Sequence, residues 1–401
     1  MQLKIINAHI LTPAGSIPSG ALLVDKGKII SVSPGNNDHP GSGFNDPTPA
    51  DTIIDAKGQY LSPGFIDIHV HGGAGHDFMD NTVEAFLAIA RLHAQHGATS
   101  MTPTTLSSGH ADLLKTLDTY AEAHPLNHHG AQFIGMHIEG PYFSMEQRGA
   151  QDPRYIRNPD PAEYEPIIQK YPFVRRWSVA PELEGAMTMG RYLVQHNILP
   201  SLAHTNAIDE EVFEAFDNGY TLATHFYNAM STVSRRNAFR YAGVIEAGLL
   251  LDDMSVEIIA DGRHLPATLL KLVYKIKGPD KIALITDAMR AAGTRATSSI
   301  LGRIGEGIEV LIEDDVAKLP DRTAFAGSIA TADRLVRTMI QLADIPLKDA
   351  ITMMTATPAR IMGVADKKGA IRPGMDADLV LFDDNIDISH TIIGGNIVFQ
   401  S

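Results

Sequence analysis

Through the middle of the chain, short apolar runs with the composition of buried strands alternate with amphipathic stretches of helical period. The runs are Phe65–Val70, Thr99–Pro103, Phe133–His137, Val174–Val179, Ile198–Ala203, Thr221–Thr224, Val256–Ala260 and Ile282–Thr286. Between them Val83–Gln95, Ala111–Ala123, Glu210–Asn218 and Pro266–Ile276 predict helices. Thr331–Ala343 and Leu347–Met362 predict two more after the eighth strand. Eight strands alternating with helices predict an α/β fold of the (β/α)8 TIM-type barrel class. Both ends of the chain read differently. Leu3–Ala8, Ala21–Val24, Lys28–Val32 and Thr52–Asp55 predict short strands, as do Leu379–Phe382 and Thr391–Phe399, with Gly, Pro, Asn and Asp clusters between them. Residues 33–51 read as an exposed loop. The expected organisation is a barrel over residues 62–367 and one small β-sandwich domain built from residues 1–61 and 368–401.

Barrel chemistry is built at the C-terminal ends of the strands, and polar residues fall there repeatedly. His69 and His71 end the first strand, Glu139 follows the third, His204 the fifth and His225 the sixth. Asp261 and His264 follow the seventh strand, and Asp287 the eighth. Residues i and i+2 of a strand point the same way, so His69 and His71 converge on one point as half a site for a transition metal. Read without that concurrence, the pair is two polar residues before a glycine turn, Glu139 a salt-bridging or capping residue, and each lone histidine a core residue. Together, Glu139, His204 and His225 form a ligand set with positions open for water. Asp287 could be a helix cap; beside a metal it suits proton transfer, as base and then acid, in amide hydrolysis.

Composition narrows the chemistry. The formal charge of −14 argues against a nucleic-acid or anionic-membrane partner. Cysteine is absent, which removes disulfides, zinc–thiolate sites and cysteine nucleophiles and leaves only N and O ligands for a metal. The N-terminus lacks the pattern of a signal peptide, and no apolar run approaches the roughly 20 residues that span a bilayer. These features predict a soluble cytoplasmic protein.

The segment Pro63-Gly-Phe-Ile-Asp-Ile-His-Val-His-Gly72 resembles the first-strand signature of the amidohydrolase superfamily. Within it, His137-Ile-Glu-Gly-Pro141, Thr224-His-Phe-Tyr-Asn-Ala-Met230, Ala260-Asp-Gly-Arg-His264 and Thr286-Asp-Ala-Met289 resemble the N-acetylglucosamine-6-phosphate deacetylases. The likeness continues through Ala326-Gly-Ser328 to Pro373-Gly-Met-Asp-Ala-Asp-Leu-Val380, in the family's order. It implies a divalent metal, zinc or iron, held by Glu139, His204 and His225, with Asp287 as acid and base. His69 and His71, which some members lack, allow a second ion, so one or two per subunit are expected. Asn228, Ala229, His264, Ala150, Gln151 and Ser328 are carried over as substrate-binding residues. Arg236, with Arg235 as the neighbouring choice, matches a phosphate-binding arginine that reaches a partner subunit's site, so a homodimer acting on a small sugar phosphate is implied. Gln151 stands where many members have histidine; glutamine still hydrogen-bonds a carbonyl or hydroxyl but carries no charge. Read alone, Arg235, Arg236 and Arg240 are a solvated surface patch, a reading that ranks below phosphate binding, and Trp177 and Tyr171–Phe173 read as packing around the fourth strand.

The expected reaction is therefore hydrolysis of an N-acetylhexosamine 6-phosphate to acetate and the amino sugar phosphate. The galactosamine epimer or another N-acyl compound is the nearest alternative, since one hydroxyl contact separates the epimers. A catalytically dead scaffold is disfavoured by the competent residues at every metal and proton-transfer position. A cyclic amidase is disfavoured because Glu139 stands where a carbamylated lysine would bridge.

Overall fold

The computed structural model describes residues 2–34 and 50–401, the side chain of Arg236 excepted; most of the loop expected over 33–51 lies outside the described residues. The central strands are β1 (Phe65–Val70), β2 (Ala98–Pro103), β3 (Met136–Glu139), β4 (Val174–Val179), β5 (Leu199–Leu202), β6 (Leu222–Ala223), β7 (Ser255–Ile258) and β8 (Ile282–Leu284). All neighbouring pairs run parallel. The sheet curls in two hydrogen-bonded parts, and no ladder closes through all eight strands among the described residues. The break lies in the predicted third strand. Gly135, at φ +135°, splits Phe133–His137, so that Gln132–Phe133 pairs back onto β2 while Met136–Glu139 pairs forward onto β4. A parallel bridge from Thr104 to His137 joins the two parts. At the other seam the Asp287 N–H donates to His69 O at 2.9 Å, beside the end of β1.

Alternation along these strands sorts the side chains. Trp177 and Val179 of β4 face the apolar layer under the helices, where Trp177 is fully buried and stacks on Tyr142 at 5.8 Å. Arg176 and Ser178 face the inside of the curl, which is polar. There Arg176 bonds Ser201, Thr224 and Glu257, His137 bonds Ser178 at 2.7 Å, and Asp67 accepts from Thr286. A helix expected over Leu347–Met362 is two, Leu347–Met354 and Ala356–Ile361. Pro358 has no N–H for the Met354 carbonyl and its ring crowds that oxygen, so the chain turns at Thr355.

Both termini meet in one eight-stranded sheet. Leu379–Phe382 pairs antiparallel with Tyr60–Pro63, which pairs parallel with the long first strand Gln2–Thr12. The expected strand Thr391–Phe399 is a hairpin, Ile388–Ile393 and Asn396–Gln400, because Gly394 and Gly395 both take positive φ between them. Leu3, Ile5, Leu22, Val24, Leu61, Leu379 and Leu381 make its apolar core. The sequence reading missed an antiparallel unit after β8, with strands Ser298–Leu301, Ile308–Glu313 and Val316–Lys318. The Arg290 guanidinium ties it down, donating to both Asp80 oxygens at 2.6 and 2.7 Å and to Gly302 O at 2.7 Å.

Candidate active site and metal centre

A cavity of about 350 Å³ opens at the C-terminal ends of the parallel strands. His71, Glu139, His204, His225 and Asp287 line its floor, and Asn228, Ala229, His264, Ala150 and Gln151 line its walls. His69 lies beneath, fully buried. Leu301 and Phe325, from the antiparallel unit after β8, complete the rim.

Five donors converge. Glu139 Oε1 is 3.1 Å from His225 Nε2, 3.5 Å from His204 Nε2 and 3.4 Å from His69 Nε2. Its other oxygen, Oε2, is 3.4 Å from His71 Nε2. Two overlapping groups could each hold an ion, Glu139–His204–His225 and His69–His71–Glu139. Asp287 Oδ1 stands 3.1 Å from His71 Nε2 and 3.4 Å from His69 Nε2.

Each ring is oriented by its far nitrogen. His204 Nδ1 is 2.9 Å from Gln147 O, His225 Nδ1 3.1 Å from Asn228 O and His71 Nδ1 3.3 Å from Thr104 O. Carbonyls only accept, so these rings carry Nδ1–H and turn Nε2 into the site, where its lone pair would meet an ion. The backbone contributes too. His204, His225 and Asp287 adopt φ of +45°, +29° and +49°, a conformation that costs about 1–3 kcal/mol per residue and gathers where geometry is functional.

The electrostatics call for a cation. Burial works against the charge on Glu139, but His69 and hydrogen bonds from His204 and His225 outweigh it and hold the carboxyl well below its usual range. Asp287 is likewise held down against burial, by His69 and His71. Burial disfavours charge on His71, yet Asp287 and Glu139 raise it to about 9. Two buried, ionised carboxylates thus draw positive charge among four imidazoles. A borderline N/O-preferring divalent ion fits this donor set, and no thiolate competes for it.

Other predicted residues fall in distinct places. His264 Nδ1–H donates to Asp261 Oδ2 at 2.9 Å, and the ring packs on Phe325 at 4.6 Å. Gln151 gives its amide N–H to Glu139 Oε2 at 2.8 Å and accepts from Ser107 N–H at 2.8 Å, so both ends are committed to protein. Ser328 does not line the cavity: its hydroxyl donates to Thr286 O and its N–H to Asp287 O, bracing the loop behind Asp287. Arg235 and Arg236 lie on a two-stranded hairpin, Ser234–Arg236 with Phe239–Tyr241, whose residues are not among those lining the cavity; the Arg236 side chain lies outside the described residues. Sequence reasoning missed Glu257 and Arg176. The available signal was a charged residue embedded in an apolar strand, in step with inward-facing neighbours.

Residues 60–398 match the amidohydrolase family. The chain is 32% identical to the N-acetylglucosamine-6-phosphate deacetylase of Bacillus subtilis (strain 168) over 404 residues, covering 100% of this chain and 98% of that one. It is also 32% identical to the N-acetylgalactosamine-6-phosphate deacetylase of Escherichia coli O157:H7, covering 97% of each. Among solved structures, the N-acetylglucosamine-6-phosphate deacetylase of Pasteurella multocida superposes with a TM-score of 0.89 at 29% identity over the full length of both chains.

Proposed function

The chain belongs to the amidohydrolase family, and from that premise we propose that it hydrolyses N-acetylglucosamine 6-phosphate to acetate and glucosamine 6-phosphate. The observation that carries this reading is one buried cluster: Glu139, His204 and His225 converge within ligand distance of one another, with Asp287 beside them on the cavity floor. In this reading the strands form the closed (β/α)8 barrel of the family over residues 62–367. Residues 1–61 and 368–401 are the β-sandwich domain, and the protein is a cytoplasmic homodimer. No helix among the described residues is long and apolar enough to cross a membrane.

Glu139, His204 and His225 would hold the principal ion, zinc or iron, and His69 and His71 with Glu139 would hold a second. When bound, the metal polarises the amide carbonyl and acidifies water to about neutral pH. Asp287 takes a proton from the attacking water and returns it to the nitrogen as the C–N bond breaks, which is base and then acid catalysis by one carboxylate. Burial and the enclosing walls keep bulk water from that exchange. On the cavity walls the backbone at Asn228–Ala229 and the His264 ring bind the sugar phosphate. In a protein of charge −14 a phosphomonoester needs such local donors, and Arg236 of a second subunit adds to them.

The galactosamine epimer is a second reading, supported by the equal identity to a deacetylase that acts on it. The test is turnover of both N-acetylhexosamine 6-phosphates against their unphosphorylated forms, with metal content measured on the same sample. Phosphate-dependent turnover by metal-loaded protein is expected. Equal rates with and without phosphate would remove the role given to Asn228, His264 and Arg236.

A further inference from the structure

Of the four imidazoles in the metal cluster, three are oriented by main-chain carbonyls and His69 by a carboxylate. Its Nδ1 lies 3.3 Å from Glu257 Oε2, in the fully buried interior of the curl. Glu257 is a strand residue of β7, far from the cavity surface in the sense that matters: its side chain has no exposure. Arg176 of β4, also fully buried, bonds both Glu257 oxygens and adds bonds to Ile68 O, Ser201 and Thr224. Glu257 Oε2 further accepts from the backbone N–H of His225 at 3.3 Å.

We infer that Glu257, locked by Arg176, is the positioning residue that makes His69 a ligand, and so sets whether the His69–His71 group retains an ion. The argument is one of donors and acceptors. A carboxylate can only accept, so His69 must carry Nδ1–H, and its lone pair falls on Nε2. That Nε2 faces His71 Nε2 at 3.2 Å and Glu139 Oε1 at 3.4 Å, where an ion between them would lie. A negative partner also makes the ring a better donor than a carbonyl partner does. The two groups sharing Glu139 therefore differ in how their rings are oriented: the His204 and His225 rings by carbonyls of their own loops, and the His69 ring by a buried ion pair spanning β4 and β7 that also accepts the His225 backbone N–H.

The inference rests on the metal-dependent reading above, and its test separates the two. In Glu257→Gln the amide oxygen takes the Arg176 fork and the NH2 faces His69, a donor against a donor. The ring then switches tautomer and presents N–H to the site. Zinc titration of apo protein, followed by calorimetry and by bound equivalents per chain, should show two equivalents in the parent. The variant should keep the tighter equivalent at parental affinity and bind the weaker one about 10–100-fold less well. Imidazole 15N shifts should show His69 changing from Nδ1–H to Nε2–H, which a loss of packing alone would not produce. Should Glu257→Gln fail to fold, the double variant Arg176→Met/Glu257→Met removes the pair together, a replacement that buried ion pairs often tolerate, and the same selective loss is expected. Two equivalents at parental affinity in either folded variant would overturn the inference, as would a parent that takes up only one. A parent that binds no zinc and hydrolyses neither substrate would instead overturn the functional reading.

Discussion

The two halves of the buried cluster are built on opposite principles. His69 lies in the strand Phe65–Val70 and His71 one residue past its end, both outside the left-handed backbone region, where the strand's alternation aims both rings into the site. His204 and His225 sit just past their strands in left-handed backbone, each ring fastened to a carbonyl of a loop: Gln147 O for one, Asn228 O for the other. Rigid strand geometry gives the first half its direction, and loops that must themselves be held give the second. Glu139 faces both, with Oε1 near His204, His225 and His69 and Oε2 near His71. Both rings of the loop half line the cavity, whereas of the strand half His71 lines it and His69 lies beneath, so strain and substrate access coincide in the loop half.

The largest expected effect tests that division directly. His225→Asn should abolish metal-dependent turnover together with the tighter metal equivalent. His71→Asn should leave that equivalent in place and retain measurable turnover. Metal analysis and assay of both variants check the ranking, and the reverse order would break the comparison. Next in size is Asp287→Asn, which keeps the shape and removes the proton acceptor. Its expected cost is about 10²–10⁴ in kcat with metal content unchanged. Full activity in that variant would sink the role given to Asp287.

How much of this was legible in the sequence follows the same division. His69-x-His71 announced itself because a strand converts spacing into direction, and Phe65–Val70 is the strand the pattern predicts. Glu139, His204, His225 and Asp287 were legible as polar residues at strand ends. The left-handed backbone of His204, His225 and Asp287 and the carbonyl partners of the two histidines were not, because those depend on loops whose neighbours are distant in sequence. Glu257 and Arg176 were hidden for the opposite reason. Each looks like an exception inside an apolar strand, and only the curl of the sheet brings β4 and β7 face to face. The antiparallel unit after β8 carries a β-branched, apolar run, Ile308-Glu-Val-Leu-Ile-Glu313, so the sequence did hold a strand signal there.

An acid limit should appear first on the strand-one side. His93 donates through Nε2–H to Gly72 O at 3.0 Å, next to His71, and its Nδ1 is buried with no partner. Burial pushes this imidazole down to about 4 from 6.5, with His96 adding to the effect and Asp333 and the Gly72 bond opposing it. The unfolded chain therefore binds the proton first. The stability this ring contributes is present above about pH 6.5 and is lost as pH falls towards about 4, reaching about 3 kcal/mol from a shift of that size. Denaturant midpoints of the parent and of His93→Gln between pH 7 and 4 should converge as pH falls. Parallel curves would show that His93 does not carry this part of the acid sensitivity.

The smallest effect concerns the residue shared by both halves. The sequence reads Gln151 as a substrate contact, whereas its amide spans Ser107 N–H and Glu139 Oε2. A backbone N–H only donates, so the amide oxygen must face Ser107 and the NH2 must face Glu139, and the orientation follows from the partners alone. Gln151→Leu removes a donor from a buried, ionised ligand and leaves the Ser107 N–H unpaired, which costs about 1–3 kcal/mol of stability. A residue that holds a ligand in place is typically worth about 10–100-fold in metal affinity or activity. Gln151→Glu, which sets a second carboxylate against Glu139, should cost more than Gln151→Leu. If Gln151 served the substrate, KM would rise in both variants with zinc affinity unchanged; if it serves Glu139, zinc affinity falls first and KM follows only at limiting metal.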